Sequence, residues 1–79
     1  MAPAARVRLL TRTGCHLCEE AERIVERTCA GKGVGFELVD VDTDEALRAE
    51  YTDHVPVLII DDTVRSRWFV DEAALASWI

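Results

Sequence analysis

The apolar and polar positions change period several times along the chain, and each change predicts an element. Residues 6–11 are β-prone and stop at Thr13-Gly14, a turn signal. From Cys15 the period lengthens: Leu17, Ala21, Ile24, Val25 and Thr28 fall on one helical face, with Glu19, Glu20, Glu22, Arg23, Glu26 and Arg27 opposite. Gly31 and Gly33 are expected to stop this helix. Residues 36–41 alternate again, with Phe36, Leu38 and Asp40 facing one way and Glu37, Val39 and Val41 the other. Thr43-Asp44 caps a short helix over 45–51, whose apolar side is Ala46, Leu47 and Tyr51. Residues 55–60 are almost wholly apolar, as a central strand covered on both faces should be, with Pro56 near its start because proline donates no ladder hydrogen bond. Asp61-Asp62 turns the chain into a strand over 63–70. Asp71 then caps a last helix that presents Ala74, Leu75, Trp78 and Ile79 to the core.

The order β-α-β-α-β-β-α gives an α/β fold. A strand–helix–strand opening implies a parallel pair with a right-handed crossover, and the closing hairpin adds an antiparallel pair. The expectation is one four-stranded mixed sheet flanked by helices, in a single domain over residues 1–79. Fifteen carboxylates against nine basic residues leave a net charge of −6, a field that repels nucleic acid and anionic membranes. The longest apolar run, residues 55–60, is far too short to span a bilayer, and residues 1–6 lack the apolar stretch of a secretory leader. The chain reads as cytoplasmic and monomeric.

Chemistry concentrates in Gly14-Cys15-His16-Leu17-Cys18, where the first strand hands over to the first helix. Helical spacing of three brings the two cysteine Cα atoms into the ~4.4–6.8 Å range that a disulfide tolerates. At the helix N-terminus, Cys15 meets free backbone N–H groups and the positive end of the dipole, which favour its thiolate as nucleophile. Cys18, one turn inward, is the expected resolving thiol. Arg12 and His16 are candidates for tuning the Cys15 thiolate. A zinc site would need further ligands. There is no second C-x-x-C, and Cys29 lies eleven residues beyond Cys18, roughly 16 Å along the helix axis. Glu19 stands where a haem-attachment motif requires histidine.

These residues resemble the glutaredoxins, small proteins of the thioredoxin fold, and above all the short bacterial glutaredoxin-like proteins with Gly-Cys-His-Leu-Cys-Glu-Glu before an amphipathic helix. The resemblance runs from about Arg6 to Ile79. It implies a thiol–disulfide oxidoreductase that works on protein disulfides or glutathione mixed disulfides, fed by a reductase system. It implies no bound cofactor, with glutathione a candidate co-substrate. It also implies that Pro56 is the cis proline facing the active-site disulfide and that the Val55 backbone pairs with substrate. By the same likeness Arg12 helps bind glutathione, and Asp71 matches the family's acidic helix start. The chain departs from the family at residues 65–71, Arg-Ser-Arg-Trp-Phe-Val-Asp, where Gly-Gly is usual. No tryptophan precedes Cys15.

The alternatives are a metal or iron–sulfur binding module of the same fold, held through the C-x-x-C thiolates, and a redox-silent adaptor. The remaining side chains have plainer readings. Cys29 is a buried or half-buried helix-end residue. His54 is a loop-end residue near the site. Trp68 and Trp78 are core or edge packing, Arg65 and Arg67 share a strand face, and Glu19–Arg23 is a weak helical ion pair.

Overall fold

The computed structural model describes residues 5–79; the first four residues of the segment read for a secretory leader lie outside them. The elements are β1 (Val7–Thr11), α1 (His16–Lys32), β2 (Phe36–Asp40), a 3-10 turn (Val41–Thr43), α2 (Glu45–Tyr51), β3 (Val57–Ile60), β4 (Thr63–Arg67) and α3 (Glu72–Trp78). The strands form one sheet in the order β2-β1-β3-β4. β1 runs parallel to β2 and antiparallel to β3, and β3 is antiparallel to β4. This is the expected α/β architecture with a mixed sheet.

Alternation along β1 and β3 feeds two cores. Val7 and Leu9 of β1 join Leu58 and Ile60 of β3 beneath α1 and α3, in a cluster with Ala21, Val25, Cys29 and Leu75. Leu10, Val57 and Ile59 point the other way, against Val41, with Leu47 and Tyr51 of α2 packed on them. All four residues of β3 are buried, as a central strand requires. Glycine ends α1 at one position only. Gly33 has φ 67°, its amide reaches the Ala30 carbonyl, and the Val34 N–H bonds the Cys29 carbonyl at 2.9 Å. That pair of bonds is a Schellman cap. Gly31, expected to share the role, is the penultimate residue of the helix; a glycine there costs little, whereas the left-handed position needs one.

Other boundaries move for identifiable reasons. Leu17 is 53% exposed, and the buried stripe of α1 is Cys18, Ala21, Val25, Thr28 and Cys29, one residue round from the expected face. β2 stops at Asp40 because its carboxylate turns back to accept the Asp42 N–H at 2.9 Å. β4 stops at Arg67 because Trp68 takes φ 71°, which no strand continues through. β3 begins at Val57 rather than Val55, since Pro56 has no N–H to give and its carbonyl accepts the Trp68 amide. Ala46 is exposed, so α2 packs through Leu47 and Tyr51 alone. Glu19 pairs with His16 at 3.6 Å, not with Arg23. A bulge between Leu58 and Ile59 separates the two arginines: Arg67 pairs with Val57 in register, while Arg65 lies over the Trp78 ring at 5.6 Å.

The β3–β4 turn is Asp61-Asp62, both at positive φ, as a two-residue hairpin turn demands. Arg6 grips the Asp61 carboxylate through two hydrogen bonds of 3.0 and 3.1 Å, and Arg8 reaches Asp62 at 2.8 Å. Hydrogen bonding to Arg6 holds the Asp61 carboxyl below the usual range. Both pairs are exposed and therefore fix register more than they add stability.

Two predictions follow from the core. Leu9 is fully buried, so Leu9→Ala is expected to lower the unfolding free energy by about 2–5 kcal/mol in urea titrations. Cys29 is fully buried and burial pushes its thiol up, so the folded state holds this proton more tightly than the unfolded chain. Its contribution is complete at neutral pH and is lost as pH rises above the ordinary thiol value of about 8.5. In the oxidised protein, Cys29→Ala should flatten the alkaline fall in stability; an unchanged slope would contradict it.

Candidate functional site

The turn between β1 and α1 is built by Gly14, whose φ of 80° suits glycine. It sets Cys15 in an extended conformation as the N-cap of α1. The Cys15 N–H donates to the Arg12 carbonyl at 3.3 Å, and its own carbonyl accepts the first helical bond from Glu19 at 3.2 Å. The Cys15 sulfur takes the place of a capping oxygen and accepts the Cys18 N–H at 3.1 Å. An acceptor at this point gains from the unpaired amides and from the dipole of a 17-residue helix. Cys15 and Cys18 are joined as a disulfide with a Cα–Cα distance of 5.2 Å. Cys18 is only 2% exposed, whereas Cys15 is half-buried at the rim. An incoming thiolate or disulfide therefore meets Cys15 first.

A polar cleft of about 270 Å³ opens beside the pair, lined in part by Arg12, Thr13, Glu19, Glu22 and Asp40. Arg12 is thus brought to the cysteines as expected, with its guanidinium 3.4 Å from the Asp42 carboxylate. Thr13 donates to Asp40 at 3.2 Å and ties the turn to the end of β2. His16 is not drawn in: its side chain is 97% exposed and leans on Glu19. Asp71 caps α3 by accepting the Ala74 N–H at 3.0 Å. Among the described residues, no group of three or more His, Cys, Asp and Glu side chains is placed to hold a metal ion. No described helix is long and apolar enough to cross a membrane.

The second strand of the site arrives from β3. Leu10 pairs with Val57, so Pro56 falls one step further, beside the end of β1 where the cysteine turn begins. Pro56 is buried, Val55 is half-buried, and the bond between them is cis. Trp68 pins this loop. Its amide lies 3.2 Å from the His54 carbonyl and 2.8 Å from that of Pro56, and its indole N–H donates to the Asp53 carbonyl at 3.0 Å. Its ring meets the His54 ring edge-on at 5.8 Å, and Tyr51 closes on the other side at 6.4 Å. Trp68 is 52% exposed, so of the two expected placements it takes the edge and not the core, and there it clamps the loop. The available signal was Trp68-Phe69, two bulky aromatics in a row just before a helix cap, where strand alternation fails.

A bulky aromatic in the left-handed region is strained, and the three hydrogen bonds hold it there. Trp68→Ala should lose about 1–3 kcal/mol of stability with the indole contacts. Trp68→Gly should be the more stable of the two by about 1 kcal/mol, inverting the usual order of alanine and glycine. Urea unfolding of the pair measures this; alanine above glycine would refute the strain.

Comparison with known proteins agrees with this geometry. Residues 6–79 match the family described as Glutaredoxin-like domain (DUF836). An uncharacterized protein of Mycobacterium tuberculosis is 38% identical over 78 residues, covering 89% of this chain and 77% of its own length. The structure of a structural-genomics target protein from X. campestris superposes with a TM-score of 0.70 at 33% identity, over 91% of this chain and 92% of that one. The glutaredoxin of Archaeoglobus fulgidus shares the fold, with a TM-score of 0.65 at 20% identity over 94% of this chain and 85% of that one. With a family match that spans nearly every described residue and a fold shared with glutaredoxin, the chain belongs to the glutaredoxin-like domain family.

Proposed function

We propose that the protein is a thiol–disulfide oxidoreductase that cycles between a Cys15/Cys18 dithiol and the Cys15–Cys18 disulfide. The observation that carries this is the unequal setting of the two sulfurs: Cys15 at the rim as the helix cap, Cys18 buried one turn behind it. The Cys15 thiolate attacks one sulfur of a substrate disulfide, a new Cys15–substrate S–S bond forms, and the other substrate sulfur leaves as a thiolate that takes a proton. Cys18 then loses its proton and attacks the Cys15 sulfur. The Cys15–Cys18 bond forms, and the second substrate thiol departs. Two electrons pass from the dithiol to the substrate, and a cellular thiol such as glutathione, or a reductase, returns them.

The surrounding residues take complementary parts in this reading. The Cys18 amide, already donating to the Cys15 sulfur, would stabilise its thiolate after reduction, and Arg12, paired with Asp42, offsets part of the carboxylate charge in the cleft wall. The Val55 backbone, held between the two carbonyls that the Trp68 amide engages, offers strand-like pairing to the substrate, with Pro56 fixing its direction. His16, turned to solvent, is left out of the reacting set, and the Asp71 carboxylate is committed to capping α3. A reducing cytoplasm suits this cycle.

Two experiments test the proposal. Cys15→Ser should abolish disulfide exchange, whereas Cys18→Ser should retain the first step and accumulate a mixed disulfide visible by intact mass. In glutathione redox buffers the wild-type protein should lose two hydrogens reversibly, with a midpoint in the roughly −200 to −270 mV range of glutaredoxins and thioredoxins. Exchange by Cys15→Ser at the wild-type rate, or no change of mass across the range, would overturn it.

A further inference from the structure

Leu17 stands between Cys15 and Cys18 in the chain but lines a different surface of α1 from the polar cleft, and that surface is apolar. Leu17, Ala21, Ile24, Phe69 and Val70 line a groove of about 220 Å³, with Glu20 on its edge. Leu17 is 53% exposed and Phe69 65%, and Trp68, next to Phe69 in the chain and 52% exposed, is hydrogen-bonded to the loop that carries Val55 and Pro56. Neither Leu17 nor Phe69 is needed to fill the core, and together they leave a space that one large apolar side chain would fill. Exposed apolar surface joined to a reactive centre marks a recognition site.

The charges set the partner's character. Glu19, Glu22 and Asp40 line the cleft on one side of the cysteines, and Glu20 edges the groove on the other. Among the described residues, the one basic side chain in either lining is Arg12, already 3.4 Å from Asp42. The whole molecule carries −6. Glutathione brings one more carboxylate than ammonium and little apolar surface, so it suits neither the potential nor the groove. A protein segment suits both.

We infer that the preferred substrate is an exposed protein disulfide whose cysteine is flanked by an apolar side chain and by basic residues, the apolar side chain seating between Leu17 and Phe69. This inference rests on the oxidoreductase reading above. Seating buries the apolar side chain against the two exposed residues, and the acidic rim draws the basic flank in during encounter.

The test uses the reduced protein and direct measurement of second-order rates with five disulfides. Three are synthetic peptides carrying one cysteine as a mixed disulfide with 2-mercaptoethanol, flanked by leucine and lysine, by serine and lysine, or by leucine and glutamate. The other two are glutathione disulfide and the uncharged bis(2-hydroxyethyl) disulfide. The leucine–lysine peptide should react at least about tenfold faster than the leucine–glutamate peptide and glutathione disulfide, and its advantage should shrink with added salt. Phe69→Ser and Leu17→Ser should each lower the rate ratio of that peptide to the uncharged disulfide about tenfold, as loss of a buried apolar contact implies. Glutathione disulfide reacting as fast as the leucine–lysine peptide would overturn the inference while leaving the oxidoreductase intact. So would a ratio unmoved in both variants. Failure of the wild-type protein to react even with the uncharged disulfide would instead remove the oxidoreductase reading itself.

Discussion

Everything in this molecule is arranged around the pairing of β1 with β3, the two strands covered on both faces. Because they run antiparallel, the end where β1 leaves the sheet is the end where β3 enters it. The turn after Thr11 carries the cysteines, and the loop before Val57 carries Pro56. Strand direction thereby delivers two segments, distant in the chain, to one edge, and Trp68 and the Thr13–Asp40 bond hold them there. The parallel β1–β2 pairing adds Asp40, the last residue of β2, to the same edge. The crossover helix α1 must begin there, so its positive end faces the site.

The parts of the fold that follow from period and punctuation were legible in the sequence. The apolar run over residues 55–60 read as a central strand and its last four residues form one, Asp44 and Asp71 stood where caps belong, and α2 was readable to its last residue. What could not be read was decided by pairs of residues distant in sequence. Leu17 is apolar yet exposed, because Cys18 and Ala21 set the buried stripe and Leu17 borders a surface shared with Phe69. Periodicity ranks positions on a helix but says nothing about what the facing element supplies. The β4 bulge is of the same kind: Arg65 and Arg67 look equivalent by spacing, and only the register against β3 separates them.

In the candidate site the sequence located the cysteine pair and missed the scaffolding. The cysteine spacing and its place between strand and helix follow from local rules. Trp68 does not. Its role depends on reaching the carbonyls of Asp53, His54 and Pro56, and on a backbone conformation that only those bonds sustain. His16 shows the opposite error, since adjacency in sequence to Cys15 implied influence, yet the helix turns it outward to Glu19. At the start of a helix, consecutive residues diverge by about 100° in direction, so the neighbour in sequence is seldom the neighbour in space.

The two ends of the sheet hold different kinds of structure. At the end opposite the cysteines lie the Asp61-Asp62 turn, its ion pairs to Arg6 and Arg8, and the glycine cap of α1, next to the Val7–Phe36 pair where β1 and β2 begin. A slip of one residue in β3 would turn both cores inside out, and these contacts guard against it. None of them touches Cys15 or Cys18. The exposed side chains Leu17 and Phe69 can therefore change without loosening this anchor, whereas Trp68, bonded to three carbonyls of the loop before β3, cannot. Register is thus guarded at one end of the sheet by contacts that leave the surface around the cysteines, at the other end, unconstrained by them.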